Sequence, residues 1–421
     1  MKRGEENTTR TLDPGEASAR SSSVGSRLRD AGRSFAQMDI GSLTVVLGLI
    51  LIAIIFQILN HNFLSPLNLT NLMIQLSATG TIAVGVVLVL LIAEIDLSVG
   101  TVSGFCASIM AVLSVKFGAP AVVAVGAAVI AGALIGLFQG FWFAKLHVPS
   151  FIVTLAGYLG WQGALLYTLG STGTINLTDP LIVGIVNARL PVWLGWLLGI
   201  LFVGIAAVTA FIELRQRAQA GIQGASAVTA FGKIALIALG VFAAIGIMSV
   251  NRNPPGFTPI QGVPSAVVFL LGFIVLFDFI TRRTRFGRYI FAVGGNVEAA
   301  RRAGINVDRV RIIVFLLCSM LAACGGILAG SRLLAVNQSS GGGDVLLNSI
   351  AAAVIGGTSL FGGRGSTWAA LLGALVIQSI SNGMDLLALS SSIKFMVTGA
   401  VLLLAVTLDA YARSRREASG R

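Results

Sequence analysis

Acidic and amide side chains set among apolar neighbours are the residues of this sequence best placed to do chemistry. Glu94 and Asp96, in Glu94-Ile95-Asp96-Leu97-Ser98-Val99-Gly100, interrupt one long apolar stretch. An acidic side chain at the centre of a membrane span costs about 2.5 to 3.5 kcal/mol on insertion scales, so acids kept there hold a cation or proton, or else mark a break in the helix. Two readings follow: an ion-coupling site, or a cytoplasmic helix break over Asp96, Ser98 and Gly100 in which Asp96 or Ser98 caps the next helix. The break avoids the full penalty and is favoured. The amides Gln75, Gln139, Gln162, Asn348, Gln378 and Asn382 lie in or beside apolar runs. They could line a hydrated path for a polyhydroxylated solute, which needs donors and acceptors but no charge. They could equally join helices, each bond contributing about 0.6 to 2 kcal/mol. His61 and His147 are the only histidines, and no Ser-His-Asp or Cys-His arrangement is present, so neither a metal site nor catalysis within this chain is expected.

Two further stretches carry spacing of interest. Ser359-Leu360-Phe361-Gly362-Gly363-Arg364-Gly365-Ser366 has the glycines of a phosphate loop, but no Lys follows them and no Gly-x4-Gly-Lys-Ser/Thr occurs in the chain. It also has the look of the signature of ATP-binding-cassette ATPases, yet it joins two apolar runs with no ATPase domain around it. A tight turn at the membrane surface is the reading. The second stretch, Arg288 to Val307, is strongly charged. Asn296 is placed to cap a helix, Glu298 lies at its positive end, Arg301 and Arg302 lie at its negative end, and Gly304 supplies a left-handed exit. The helix so defined has roughly two turns, below the about 12 to 15 residues that stand alone in water, so it must pack against something else.

The elements that position these residues are membrane spans. The chain has 421 residues, 55% hydrophobic and 11% charged, with a mean hydropathy of +0.89, which excludes a soluble domain. With about 20 apolar residues per crossing, candidate spans lie at 42–60, 71–93, 98–116, 119–144, 150–170, 191–213, 233–250, 264–281, 311–331, 344–361, 366–384 and 392–409. The expectation is an all-α polytopic membrane protein with about 12 spans, or 10 if a short one only re-enters. Residues 1–38 read as a disordered cytoplasmic tail, 39–410 as the transmembrane domain with a cytoplasmic loop at 282–310, and 411–421 as a second cytoplasmic tail. Placing both termini inside leaves only Lys116, Arg189, Arg252, Arg332 and Lys394 of the 29 Lys and Arg on the outer side. The net charge of +12 is thus a matter of membrane orientation and not of nucleic-acid binding. Outer loops are expected at 171–190 and 251–263. Gly132, Gly136 and Gly140, and likewise Ala322, Gly326 and Gly330, recur every fourth residue, the pattern that lets helices approach closely in lipid. Cys106, Cys318 and Cys324 lie within apolar runs and read as packing residues.

Taken together, Ile95-Asp96-Leu97-Ser98-Val99-Gly100, Gly136-Leu137-Phe138-Gln139-Gly140, Val148-Pro149-Ser150-Phe151-Ile152-Val153-Thr154-Leu155, Gly294-Gly295-Asn296-Val297-Glu298-Ala299-Ala300-Arg301 through Gly304-Ile305, and Ile355 to Gly365 resemble the membrane permeases of bacterial ABC sugar importers of the ribose/xylose type. The similarity runs from about residue 40 to 410. The longer middle section around 213–262 resembles the D-xylose permeases of that family. A long polar N-terminal tail, and Gln139 where many relatives have Asn, are departures. The resemblance implies a type II importer-like bundle in the bacterial inner membrane. Two permease copies would pair as a homodimer over ATP-binding subunits, which use the ATP and Mg, and would take a monosaccharide from a periplasmic sugar-binding protein. It also implies a role for Gly294, Gly295, Asn296, Glu298, Ala299, Ala300, Arg301 and Gly304: the Glu-Ala-Ala-x3-Gly pattern is the coupling helix that enters a groove on the ATPase. The rival expectation is an ion-coupled secondary sugar transporter using Glu94 and Asp96.

Overall fold

A computed structural model describes residues 40–219, 227–254 and 256–418; the tail expected at 1–38 lies outside them. The elements are α1 (Ile40–Leu59), α2 (Pro66–Leu91), α3 (Val99–Ala111), α4 (Ala121–Lys145), α5 (Ser150–Leu169), β1 (Thr174–Asn176), α6 (Pro180–Asn187), α7 (Val192–Gln219), α8 (Ala227–Ser249), α9 (Ser265–Arg283), α10 (Arg285–Gly295), α11 (Val297–Arg302), α12 (Val307–Leu333), β2 (Ala335–Asn337), α13 (Gly343–Ile355), α14 (Thr367–Leu386) and α15 (Ser391–Ala418). The segment expected as a tail from 411 thus continues α15 as far as Ala418.

Local chemistry sets the ends. Ser65 accepts from the Asn68 amide and Pro66 opens α2, Asp179 caps α6 ahead of Pro180, and Asn306 accepts from the Arg309 amide at the start of α12. α3 widens into π turns over Val112–Lys116.

Among the described residues, nine helices are long and apolar enough to cross a membrane, and three apolar helices are shorter, at Val45–Leu59, Gly343–Ile355 and Ser391–Leu404. Of the twelve expected spans, 344–361 is the clearest shortfall. Its helix closes at Ile355, because Gly356 leads into Gly357, which takes φ +102° and turns the chain away. Thirteen residues rise roughly 20 Å against a hydrocarbon core of about 30 Å.

The described residues divide into two compact units, one within 202–239 and one of 41–201 with 240–418. In the first, Ala207, Val208, Phe211 and Leu214 face Ala230, Phe231 and Ile234 across an apolar cleft. The second holds the remaining helices around α12, a 27-residue helix. Gly132, Gly136 and Gly140 of α4 lie directly on the α12 backbone or side chains at Ser319, Phe315 and Ile312, and Gly326 of α12 lies on the Ser103 backbone of α3. The glycine stripes therefore do what their spacing predicts: they bring backbones together where lipid offers no hydrophobic drive. α2 is almost wholly enclosed, and Cys106 and Cys318 are buried. The loops at 171–190 and 251–263 carry more order than connectors require. β1 pairs antiparallel with β2, Ile175 opposite Val336, and the Leu190 amide donates to the Val263 carbonyl at 2.9 Å, joining 171–190 to 251–263.

Candidate functional site

The charged stretch folds as two helices where one was expected. Thr284 Oγ1 accepts from the Gly287 amide and starts α10. Asn296 Oδ1 then accepts from the Ala299 amide at 2.9 Å and starts α11, and Gly304 leaves α11 with φ +81°. Gly295, Asn296, Glu298, Ala299, Arg301 and Gly304 are exposed. Ala300 is not: it is 4% exposed and belongs to the core, so its methyl anchors α11 to the bundle.

The end of α10 is tied to the bundle through glycine. A Cβ on Gly294 would run into the Leu91 carbonyl oxygen at the end of α2 and stand 2.8 Å from the Gly363 nitrogen. The Gly363 amide donates to that same Leu91 carbonyl at 3.0 Å, satisfying one of the acceptors a helix end leaves open. Gly362, at φ +81°, lies against Ala93 and the Gly294 carbonyl. The turn over 359–366 is tight, with the Ser359 amide donating to the Arg364 carbonyl at 3.0 Å. The end of α2, the α10–α11 corner and the α13–α14 turn thus meet backbone to backbone, a meeting for which spacing along the chain carried no signal.

Next to this junction lies the break. Asp96 Oδ1 accepts from the Ser98 amide at 2.8 Å and from Ser98 Oγ at 2.7 Å, an Asx turn ahead of α3; Ser98 is the N-cap residue but its side chain bonds no amide of the first turn. Gln139 Nε2 donates to Ser98 Oγ at 3.0 Å, fastening the break to α4. Gly100 serves packing, since a Cβ there would stand 2.8 Å from the Gly341 carbonyl. Glu94 accepts from Ser150 Oγ at 2.6 Å and from Arg311 Nη2 at 3.2 Å, while the Arg311 guanidinium lies 4.5 Å from the centre of the Phe143 ring. Burial pushes the Glu94 carboxyl above its ordinary range, opposed by Ser150 and Arg311. Glu94 is held through both oxygens, whereas Asp96 is held through Oδ1 alone, its Oδ2 being buried with no hydrogen-bond partner. Sequence reasoning missed Arg311 and Ser150 as partners. The available signal was position: each opens an apolar run.

The amides separate into distinct places. Asn68 Nδ2 donates to Asn382 Oδ1 at 2.8 Å, Gln378 Nε2 donates to Gln75 Oε1 at 2.9 Å, and Asn382 Nδ2 reaches the same Gln75 oxygen at 3.4 Å. This ladder joins α2 to α14. Gln139 belongs to the break. Gln162 Nε2 donates to the Gln338 carbonyl at 3.2 Å in an exposed setting, beside Trp161, which stacks on Phe105. Asn348 Oδ1 is buried with no hydrogen-bond partner. The ladder predicts that Asn382→Ala lowers stability by about 1 to 3 kcal/mol, because it leaves one of the two Asn68 Nδ2 hydrogens without a partner while the other still donates to the Phe63 carbonyl. Thermal unfolding of the purified protein reads this; unchanged unfolding with altered uptake would return Asn382 to the path.

The model of the family described as branched-chain amino acid transport system / permease component matches residues 68–406. The chain is 37% identical over 355 residues to the xylose transport system permease protein XylH of Haemophilus influenzae, covering 82% of this chain and 90% of that protein. It is 38% identical over 355 residues to XylH of Escherichia coli K12, covering 84% and 87%. It is 35% identical over 362 residues to the ribose import permease protein RbsC of Escherichia coli K12, covering 86% and 91%. No solved structure matches the chain.

Proposed function

Since this chain belongs to the family of transport-system permease components, we propose that it is the membrane-spanning subunit of an ABC importer that carries a pentose, D-xylose, into the cytoplasm. The observation that carries the reading is the identity to xylose permeases across more than four-fifths of the chain. The protein is a transport subunit and not an enzyme; a separate subunit hydrolyses ATP with its Mg.

In this reading the protein sits in the bacterial inner membrane with both termini inside, and α1, α13 and α15 join the nine long helices to give about twelve crossings or re-entrant passes. Two copies pair over the ATPase subunits, and a periplasmic binding protein delivers the sugar. The exposed face of α11 enters the ATPase. Its support is physical: a six-residue helix with a buried anchor and exposed Glu298, Ala299 and Arg301 is held in place by the bundle and offered outward. Closure of the ATPases displaces α11, and nucleotide biases the bundle between its two openings through that differential contact. Of the amides, Gln162 and Asn348 remain the candidates for the sugar path, because the other four satisfy one another or the break.

Proteoliposomes holding the permease and its ATPase are expected to take up D-xylose only with ATP and the binding protein present. Uptake that persists without the ATPase, or that collapses with an ion gradient while ATP is plentiful, would overturn the proposal.

A further inference from the structure

Glu94 and Arg311 lie 217 positions apart in sequence and are 17% and 16% exposed. Arg311 stands in the second turn of α12, the helix that follows α11 after a short turn. Glu94 stands in the break between α2 and α3, and its other oxygen is held by Ser150, the first residue of α5. One carboxylate therefore joins the helix leaving the docking segment to the helix that carries Tyr158, Trp161 and Gln162.

The form of the contact is as informative as its place. Arg311 offers a single nitrogen to Glu94 and not the two-nitrogen fork, and its Nε is buried without a hydrogen-bond partner. A pair built only to hold the fold gains most from the fork. A single bond, with the guanidinium also resting on Phe143, can part and re-form as α12 shifts. Lys145 and Asp308, paired at 3.2 Å, tie the end of α4 to the same end of α12; they are exposed and screened, so they add little.

We infer that Glu94, Arg311 and Ser150 form a relay that passes displacement of α11 and α12 through the α2–α3 break to the start of α5. The three are positioning residues for transport, each acting through the others. The inference rests on the reading of α11 as the docking segment, but it concerns what happens after docking.

The test uses the assembled importer in proteoliposomes and reads xylose taken up per ATP hydrolysed, together with co-purification of the ATPase. Glu94→Gln and Arg311→Met are each expected to lower that ratio at least about tenfold, the scale of a strong coupling energy, with the ATPase still bound. The double variant should be no worse than either single one, because one broken link already interrupts the relay. Ser150→Ala, which removes the last link, should lower the ratio as far as either single variant, and Arg311→Lys, which keeps the charge, should restore most of it. An unchanged ratio in either single variant, losses that multiply in the double, or Arg311→Lys as uncoupled as Arg311→Met would overturn the relay. So would loss of ATPase co-purification in step with uptake, since the pair would then merely hold the fold. If α11 substitutions leave the ATPase bound while the Glu94 variants are uncoupled, the docking reading fails, and the relay is overturned in its α11 link while the α12-to-α5 link through Glu94 stands.

Discussion

Gly294→Ala is expected to abolish xylose uptake, while Gly295→Ala, one residue along, is expected to be silent. The two differ by what surrounds them. A Cβ at Gly294 meets the Leu91 carbonyl oxygen and, at 2.8 Å, both the Leu91 carbonyl carbon and the Gly363 nitrogen. All of these are backbone atoms, so no side chain can rotate away, and the hydrogen bond from Gly363 to Leu91 lies directly in the path of the new methyl. Overpacking commonly costs about 1 to 3 kcal/mol, and more where backbone must shift; every 1.4 kcal/mol is about a tenfold loss of the correctly assembled form. A Cβ at Gly295 meets nothing within 4 Å, so the change there should stay within about 0.5 kcal/mol. Uptake and thermal unfolding, measured side by side on the two variants, decide the matter. Equal behaviour would mean that the α10–α11 corner does not press on the end of α2.

That contrast also shows what the sequence could and could not reveal. Local signals were legible where the physics is local. Asn296 as a cap, Gly304 as a left-handed exit, Asp96 and Ser98 at a helix start and the every-fourth-residue glycines each involve neighbours within a turn or one helix face. Family membership was legible because five motif stretches occur in order. Three features were not legible. Thr284 starts α10 within a run of arginines that reads as a charged loop, since propensity over so short a window is weak. The buried side of α11 could not be told from its exposed side, because Ala299 and Ala300 are the same residue type. The partners of Glu94 lie 56 and 217 positions away, and pairing at that distance is set by tertiary packing alone. The amides follow the same rule. Their number within spans was evident, but whether Gln75 faced solute or Asn382 depended on how α2 meets α14.

The second large effect concerns the two faces of α11. Ala299→Trp or Ala303→Trp is expected to remove most ATPase co-purification while leaving the permease's own unfolding unchanged, whereas Ala300→Leu is expected to do the reverse in order. Ala299 and Ala303 are exposed, so an indole there touches no part of the bundle and can obstruct only a partner. Ala300 is 4% exposed, and a larger side chain must lift the helix from its seat, at about 1 to 3 kcal/mol of stability in the isolated permease. Docking is then weakened as a consequence. Glu298 sharpens the distinction. Its ion pair with Arg301, at 3.1 Å, has side chains 66% and 52% exposed, and such pairs contribute from nothing to about 1 kcal/mol. Glu298→Ala should therefore leave α11 formed, its Asn296 cap being independent of the carboxylate, and any loss of ATPase binding must come from a contact with the partner. Co-purification with the ATPase and thermal unfolding without it separate these cases. Full ATPase binding by both tryptophan variants would move the docking surface off α11, because no partner helix or groove could close over an exposed face carrying that bulk.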